Sequence, residues 1–318
     1  MKCYIFAQSY QQYDMDALST ILEAIGLRSV VYSKFPLATP WGLDIVNDEN
    51  SQFWRLVSGS CIVGSPDGRV IEMAEGDLVF VPHGSAHWIA DSITSLRMPS
   101  PEFVKARREG IPVFNNGDNR TILVAGHFEF DYQLLHPFLK DLPPVIHIRQ
   151  YVTENQLLIK EVTQLMLEEL NNERPGSGVM LKSLSEIMFV NIIRAYLEQA
   201  MPNSGFLSAL NDPRISKGLK LMQDSPQNDW TLESLASEVG MSRSVFFNQF
   251  KKLVHETPLS YLTNWRIRQA QKLLITDNSN ISEIAANVGY QSEAAFNRIF
   301  KSKTGQTPAV YRRSKFLK

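Results

Sequence analysis

The chain has 318 residues, of which 44% are hydrophobic and 20% charged, and its formal net charge is −1. Such values fit an ordinary globular protein of two or three domains and exclude a disordered or low-complexity chain. The two cysteines, Cys3 and Cys61, exclude a disulfide framework, and without a C-x-x-C pair there is no zinc or thiol-redox motif.

The apolar stretch at 1–7 is too short for a signal peptide. No run of about 18 apolar residues is present to span a membrane. A cytoplasmic protein without membrane contact is expected. The net charge conceals an asymmetry. From Asp212 onward there are 16 Lys and Arg against 9 Asp and Glu, and the preceding residues hold 16 against 24. A basic C-terminal part is what a polyanionic partner requires.

In chain order, Leu18, Ile21, Leu22 and Ile25 recur at helical spacing and predict a short amphipathic helix over 14–27. Between 29 and 148 the texture changes to short apolar or alternating runs, at 54–57, 61–63, 70–73, 78–81 and 121–125, punctuated by Gly, Pro, Asn and Asp. This pattern predicts an antiparallel β-sandwich or small barrel. Within it, Gly76-Asp77 predicts a turn, 78–81 a strand, and Pro82-His83-Gly84 a second turn that aims His87 inward.

This stretch, followed by Asp91, resembles the second cupin motif, and Trp41-Gly42, Phe53-Trp54 and Leu142-Pro143-Pro144-Val145 extend the likeness over most of 1–200. Many cupins are metalloenzymes whose first motif supplies two His and a Glu. The matching stretch here, 44–52, contains no His and places Gln52 near the Glu position. One His cannot build a metal site of three or four ligands. No metal, cofactor or catalytic residue is therefore expected. Trp41, Trp54, His83 and His87 are the candidate effector-binding residues, and core packing is the competing reading for each.

Beyond 151 the chain turns helical. Apolar positions predict helices over 154–172 and 177–199, separated by Arg174-Pro175-Gly176, which together form an αα-hairpin. The hairpin either simply caps the barrel or, in addition, forms a homodimer seam with its second helix. Pro202-Asn203-Ser204-Gly205 predicts a linker.

The C-terminal part contains an internal repeat. Leu235, Ala236 and Val239 match Ile284, Ala285 and Val288 at an offset of 49; Phe246, Phe250, Lys251, Thr257, Pro258 and Tyr261 match Phe296, Phe300, Lys301, Thr307, Pro308 and Tyr311 at 50. The second copy thus has one extra residue in its turn. Each copy has the physics of a helix-turn-helix. Gly240 and Gly289 end the first helix, where φ > 0 is needed. Ser242 and Ser292 are N-caps of the second helix. The phenylalanines lie i, i+4 on one buried face. The opposite face then projects Arg243, Ser244, Asn248 and Lys251 in one copy, and Glu293, Asn297, Arg298 and Lys301 in the other. Such a helix fits the DNA major groove. A longer helix over 259–275 holds the two units apart.

Trp230-Thr231-Leu232, Val239-Gly240-Met241-Ser242, Val288-Gly289-Tyr290-Gln291-Ser292 and Gly305-Gln306-Thr307-Pro308 make 212–318 closely resemble the DNA-binding domain of the AraC/XylS family of bacterial regulators. The resemblance implies two recognition helices in successive major grooves, about one DNA turn apart. It places Ser244, Phe247 and Asn248, with Glu293, Ala294, Ala295 and Arg298, toward bases or nearby phosphates. Lys251 and Lys301 suit phosphate contacts. Phe247 either touches a thymine methyl or joins the core.

The expected fold class is α+β, with a cupin-like sensor barrel (1–150), a helical hairpin (151–202), a linker (203–211) and an all-α double helix-turn-helix domain (212–318). The expected partners are double-stranded promoter DNA, RNA polymerase, a small-molecule effector and a second copy of the chain, with activation of transcription implied by the resemblance. Two alternatives stay open: a metal-independent cupin enzyme fused to a DNA-binding domain, and a regulator whose N-terminal domain only dimerises.

Overall fold

The computed structural model describes residues 16–25, 27–48, 50–117, 120–130, 136–150, 153–172, 174–200 and 205–316. Cys3, the 1–7 stretch and Pro202, Asn203 and Ser204 of the linker lie outside them. The described residues form two compact units, one within 27–207 and a second that unites 208–316 with 16–25.

The first unit is built on two five-stranded sheets. One contains β1 (Arg28–Ala38), β3 (Ser51–Ser58), β6 (Leu78–Val81), β9 (Arg120–Glu129) and β10 (Ile146–Ile148), in the order β1-β9-β3-β6-β10. The other contains β2 (Gly42–Ile45), β4 (Cys61–Gly64), β5 (Val70–Met73), β7 (His87–Ala90) and β8 (Met98–Pro99), in the order β5-β4-β7-β2-β8. Pairing is antiparallel except between β2 and β8. The strands expected from the five short runs are all present. Helix α2 (Ser100–Arg108) and the short α3 (Pro137–Lys140) interrupt the β-rich region.

β6 is buried at every position and β3 at six of eight, because their sheet is covered on both faces. Trp54, Leu56, Val79, Val81, Leu123 and Ala125 face the interior between the sheets, beside Trp41, Leu43, Val63 and Ile89. The alternate residues face the other way. Phe53 stacks on Phe128 at 5.1 Å, and Phe80, Phe128 and Phe130 all meet Phe189 within 6 Å. Phe189 belongs to α5 (Ser177–Ala200), which forms a hairpin with α4 (Glu154–Asn172). The hairpin therefore caps the sheet. Its turn is locked by buried Glu169, which accepts from Arg174 Nη2 and Ser177 Oγ, both at 2.7 Å.

Gly76 (φ +91) and Asp77 make the predicted turn, where the Asp77 carboxylate accepts from the Ala74 and Gln150 amides and bonds His147 Nε2 at 3.0 Å. A short helix, α6 (Phe206–Asn211), occupies much of the stretch read as linker. Phe206 gives the reason: its ring packs edge-on to His136 at 4.8 Å and its amide donates to Asp141 Oδ2 at 2.6 Å.

The second unit is helical: α1 (Ala17–Ala24), α7 (Pro213–Asp224), α8 (Leu232–Glu238), α9 (Arg243–Val254), α10 (Pro258–Thr276), α11 (Ile281–Asn287), α12 (Glu293–Thr304) and α13 (Pro308–Phe316). Periodicity predicted α1 but not its neighbour, which is α7, against which Ala17, Ile21 and Ile25 are buried. α8–α9 and α11–α12 are the two helix-turn-helix units, and α10 is the spine between them.

The repeat extends to ring geometry. Phe246 and Phe250 lie 5.6 Å apart, Phe296 and Phe300 5.5 Å apart. Phe250 meets Tyr261 at 5.9 Å, and Phe300 meets Tyr311 at 5.6 Å. Both turns are Schellman motifs. The Gly240 amide donates to Ser237 O and that of Met241 to Ala236 O, as do Gly289 to Ala286 O and Tyr290 to Ala285 O. Gly240 and Gly289 have φ of +69° and +89°, as their turn positions demand.

The two glycines differ in what surrounds them. A Cβ on Gly240 meets nothing within 4 Å, whereas one on Gly289 falls 2.7 Å from Pro226 O and 2.9 Å from the Arg266 guanidinium. Gly240→Ala should cost about 1–2 kcal/mol through its left-handed backbone. Gly289→Ala should cost about 1–3 kcal/mol more, since packed groups must shift. Hydrogen exchange of the α8–α9 and α11–α12 amides in the two variants measures the ranking, and equal losses would contradict it.

Candidate nucleic-acid interface and barrel cavity

Each recognition helix starts on a serine. Ser242 Oγ accepts from the Val245 amide at 3.4 Å and Ser292 Oγ from the Ala295 amide at 3.3 Å, a cap worth about 1 kcal/mol. Phe246, Phe250, Phe296 and Phe300 are fully buried. A helix that buries its i, i+4 pair must expose the reverse face. Accordingly Ser242, Arg243, Ser244, Asn248 and Lys251 are exposed on α9, and Ser292, Glu293, Ala294, Arg298 and Lys301 on α12 or its cap. Phe247, Ala295 and Asn297 are half-buried.

All thirteen residues predicted from the sequence thus fall on the two capped helices, and none is fully buried. Their freedom is not equal. Arg243 Nε pairs with Glu233 Oε1 at 2.7 Å, while Glu293 Oε1 accepts weakly from Asn297 Nδ2 at 3.5 Å. Lys251 and Lys301 also sit in the last turns of their helices, where cations complement the carbonyl ends.

Of the four residues predicted to bind an effector, Trp54 and His87 come together, and they do so by bonding each other. Trp41 is fully buried and donates from Nε1 to Thr121 Oγ1 at 3.3 Å. His83 Nε2 bonds Leu142 O at 2.8 Å, which ties down the Pro82-His83-Gly84 turn. His87 points inward as the motif predicts, but both its nitrogens are engaged. Nε2 accepts from Trp54 Nε1 at 2.9 Å, and Nδ1 bonds Ser85 O at 2.9 Å. Burial holds the His87 pKa below its ordinary value, so the ring is neutral and its tautomer fixed with the proton on Nδ1. Neither nitrogen remains for a metal or a ligand.

Of the four, Trp54 alone lines a cavity of about 840 Å³. Its walls are Phe35, Leu43, Ile45, Trp54, Phe103 and Val104, and α2 forms its cover. Phe35 and Phe103 meet at 5.8 Å, and the Arg107 guanidinium lies 5.0 Å from the Phe35 ring centre. Lys105, Arg107 and Arg108 stand at the rim with Asp48 and Glu109, and none of the three cations forms an ion pair among the described residues. Gln52 is buried in the wall, and its Oε1 has no hydrogen-bond partner among the described residues.

Sequence reasoning missed α2, although its signals are ordinary: Pro101 near the start, Glu102 in the first turn and three cations in the last. They were submerged in a region whose dominant period was that of strands.

Cys61 is inert. It lies beside Met73 in the core, and burial raises its thiol to about 12, far from a reactive thiolate.

A double-sheet barrel capped by a helical hairpin, with a twofold-repeated helix-turn-helix unit, defines a sensor-plus-reader class of regulator. A cupin family matches residues 16–198, and a helix-turn-helix domain family matches 235–314. The chain is 30% identical over 303 residues to the HTH-type transcriptional regulator AlkR of Acinetobacter baylyi, covering 94% of this chain and 99% of that one. It is 27% identical to a putative AraC-like transcription regulator of Streptomyces antibioticus, over 94% of this chain and 99% of the other. It is also 27% identical to RclR, the RCS-specific HTH-type transcriptional activator of Escherichia coli, over 94% and 97%. Among solved structures, the DNA-binding domain of AdpA in complex with a target DNA is 31% identical over 32% of this chain and 92% of that one, with a TM-score of 0.31. The chain belongs to the AraC/XylS family of helix-turn-helix transcriptional regulators that carry an N-terminal cupin domain.

Proposed function

We propose that this regulator binds promoter DNA with α9 and α12 in successive major grooves and activates transcription in the cytoplasm by contacting RNA polymerase. The observation that supports the DNA contact most is the pair of capped helices, each with its phenylalanines buried and its polar face open. Arg298 reads a base, as Arg to guanine is the commonest specific contact, while Asn248 suits adenine. Lys251 and Lys301 hold phosphates.

The barrel senses rather than catalyses. The inward His87 is occupied by Trp54 and Ser85, and no cluster of three metal-ligating side chains exists among the described residues. The effector lies beneath α2 in the 840 Å³ cavity. The aromatic and aliphatic walls suit an apolar body. The unpaired cations of α2 suit an acidic head at the rim. Gln52 Oε1 offers an acceptor inside. Such an effector acts through its differing affinity for the DNA-competent and incompetent arrangements.

The hairpin carries the dimer seam on the side away from the sheet. Leu165 on α4 and Met180 and Ile187 on α5 are large apolar residues between 46% and 47% exposed.

Three measurements test these assignments. Against a duplex site selected from a random library, Arg298→Ala should weaken specific binding by about 1–3 kcal/mol and relax one base position. Lys301→Ala should weaken all sequences alike and lower the salt slope by about 1; an unchanged base preference in the first variant removes Arg298 from the reading face. Decanoate should change Trp54 emission more strongly than 1-decanol, and Arg107→Gln should abolish that difference. Equal responses to both compounds reject the acidic head. Leu165→Glu with Ile187→Glu should turn a sedimenting dimer into a monomer, and an unaltered dimer places the seam elsewhere.

A further inference from the structure

The loop between α7 and α8, 225–231, belongs to the first helix-turn-helix unit. The turn between α11 and α12 belongs to the second. The two meet at one side chain of the spine, Arg266 on α10. Arg266 Nε donates to Pro226 O at 2.7 Å and Nη2 donates to Asn228 O at 2.9 Å. Its guanidinium also lies 5.7 Å from the ring centre of Tyr290. The same loop and turn touch directly. Gly289 comes so close to Pro226 O that a Cβ there would force the loop or Arg266 to shift, and Gln291 Nε2 reaches Asp229 Oδ2 at 3.5 Å. Tyr290 and Gln291 lead directly into Ser292, the N-cap of α12. The group that Arg266 holds is therefore the entry to the second recognition helix.

Nothing in the internal repeat accounts for this residue. At the repeat's offset of 50, the counterpart of Arg266 is Phe316. Arg266 is consequently not part of the core that each unit builds for itself. Its planar fork satisfies two carbonyls at once and still presents a flat face to an aromatic ring, a combination that Lys cannot reproduce. α10 is also fixed to the first unit by the neighbouring residue, Trp265, whose Nε1 donates to Gln223 O at 3.3 Å.

We infer that Arg266 is a positioning residue that locks the two readers in one relative placement, so that the separation of the two half-elements in the DNA site is set by this contact. The inference rests on the DNA-binding reading above. When two linked modules are held rigidly, only a site whose elements match that geometry engages both; a looser link tolerates other separations at a lower peak affinity.

The test uses the full chain and a duplex site selected from a random library by the wild type. Variants of that site carry insertions or deletions of about 1–2 bp between the half-elements, which move one groove relative to the other. The wild type should prefer the selected spacing by about tenfold or more. Arg266→Gln should reduce this preference to about threefold or less while binding a single half-element as before. Arg266→Lys, able to serve one carbonyl, should fall between.

A uniform loss at every spacing would show a merely structural role and overturn the inference. So would an undiminished spacing preference. If circular dichroism shows Arg266→Gln unfolded, Tyr290→Leu removes the ring face but leaves both carbonyl bonds, and its spacing preference decides in the same way. A wild type that selects no site at all would instead bring down the DNA-binding reading, a result distinct from a wild type that selects a site and a variant that keeps its spacing.

Discussion

The C-terminal unit depends on one constraint: two phenylalanines four residues apart must both be buried. Phe246 with Phe250, and Phe296 with Phe300, fill the centre of each helix-turn-helix unit and close on Tyr261 and Tyr311. Because side chains at that spacing share one helical face, the opposite face has nowhere to go but solvent. The exposure of Asn248 and Arg298 is thus a consequence of core packing before it is a property of recognition. The serine caps and the left-handed glycines then fix where each helix begins and how sharply the chain turns into it.

The barrel follows a different logic, since its first sheet is covered twice. The inward residues of β3 and β6 build the space between the sheets, and their outward neighbours, Phe53 and Phe80, form an aromatic layer with Phe128, Phe130 and Phe189. The hairpin is therefore part of the barrel's core. Beneath α2 a cavity remains with an apolar interior and a cationic edge. His87 shows how a motif residue becomes structural. Trp54 and Ser85 use both of its ring nitrogens, so His87 stiffens the cavity wall through its bond to Trp54.

Much of this was legible in the chain. Strands at 54–57, 61–63, 70–73, 78–81 and 121–125, both helices of the hairpin, and the caps and turns of the repeat all follow from local chemistry. Helix α2 did not, because nine residues of helical signal sit within a hundred of strand-like texture. The linker reading missed α6, because Phe206 gains its stability from His136 and Asp141, which are distant in sequence.

The sequence by itself determined the duplicated readers, their exposed residues and the β-rich sensor, since each depends on spacings of a few residues that the backbone turns directly into faces, caps and turns. Only tertiary structure decided that α1 packs on α7, that the cavity is walled by Phe35, Trp54 and Phe103, and that Arg266 joins two loops of different units. Those contacts unite residues tens or hundreds of positions apart, and no local period encodes which of many compatible surfaces will meet.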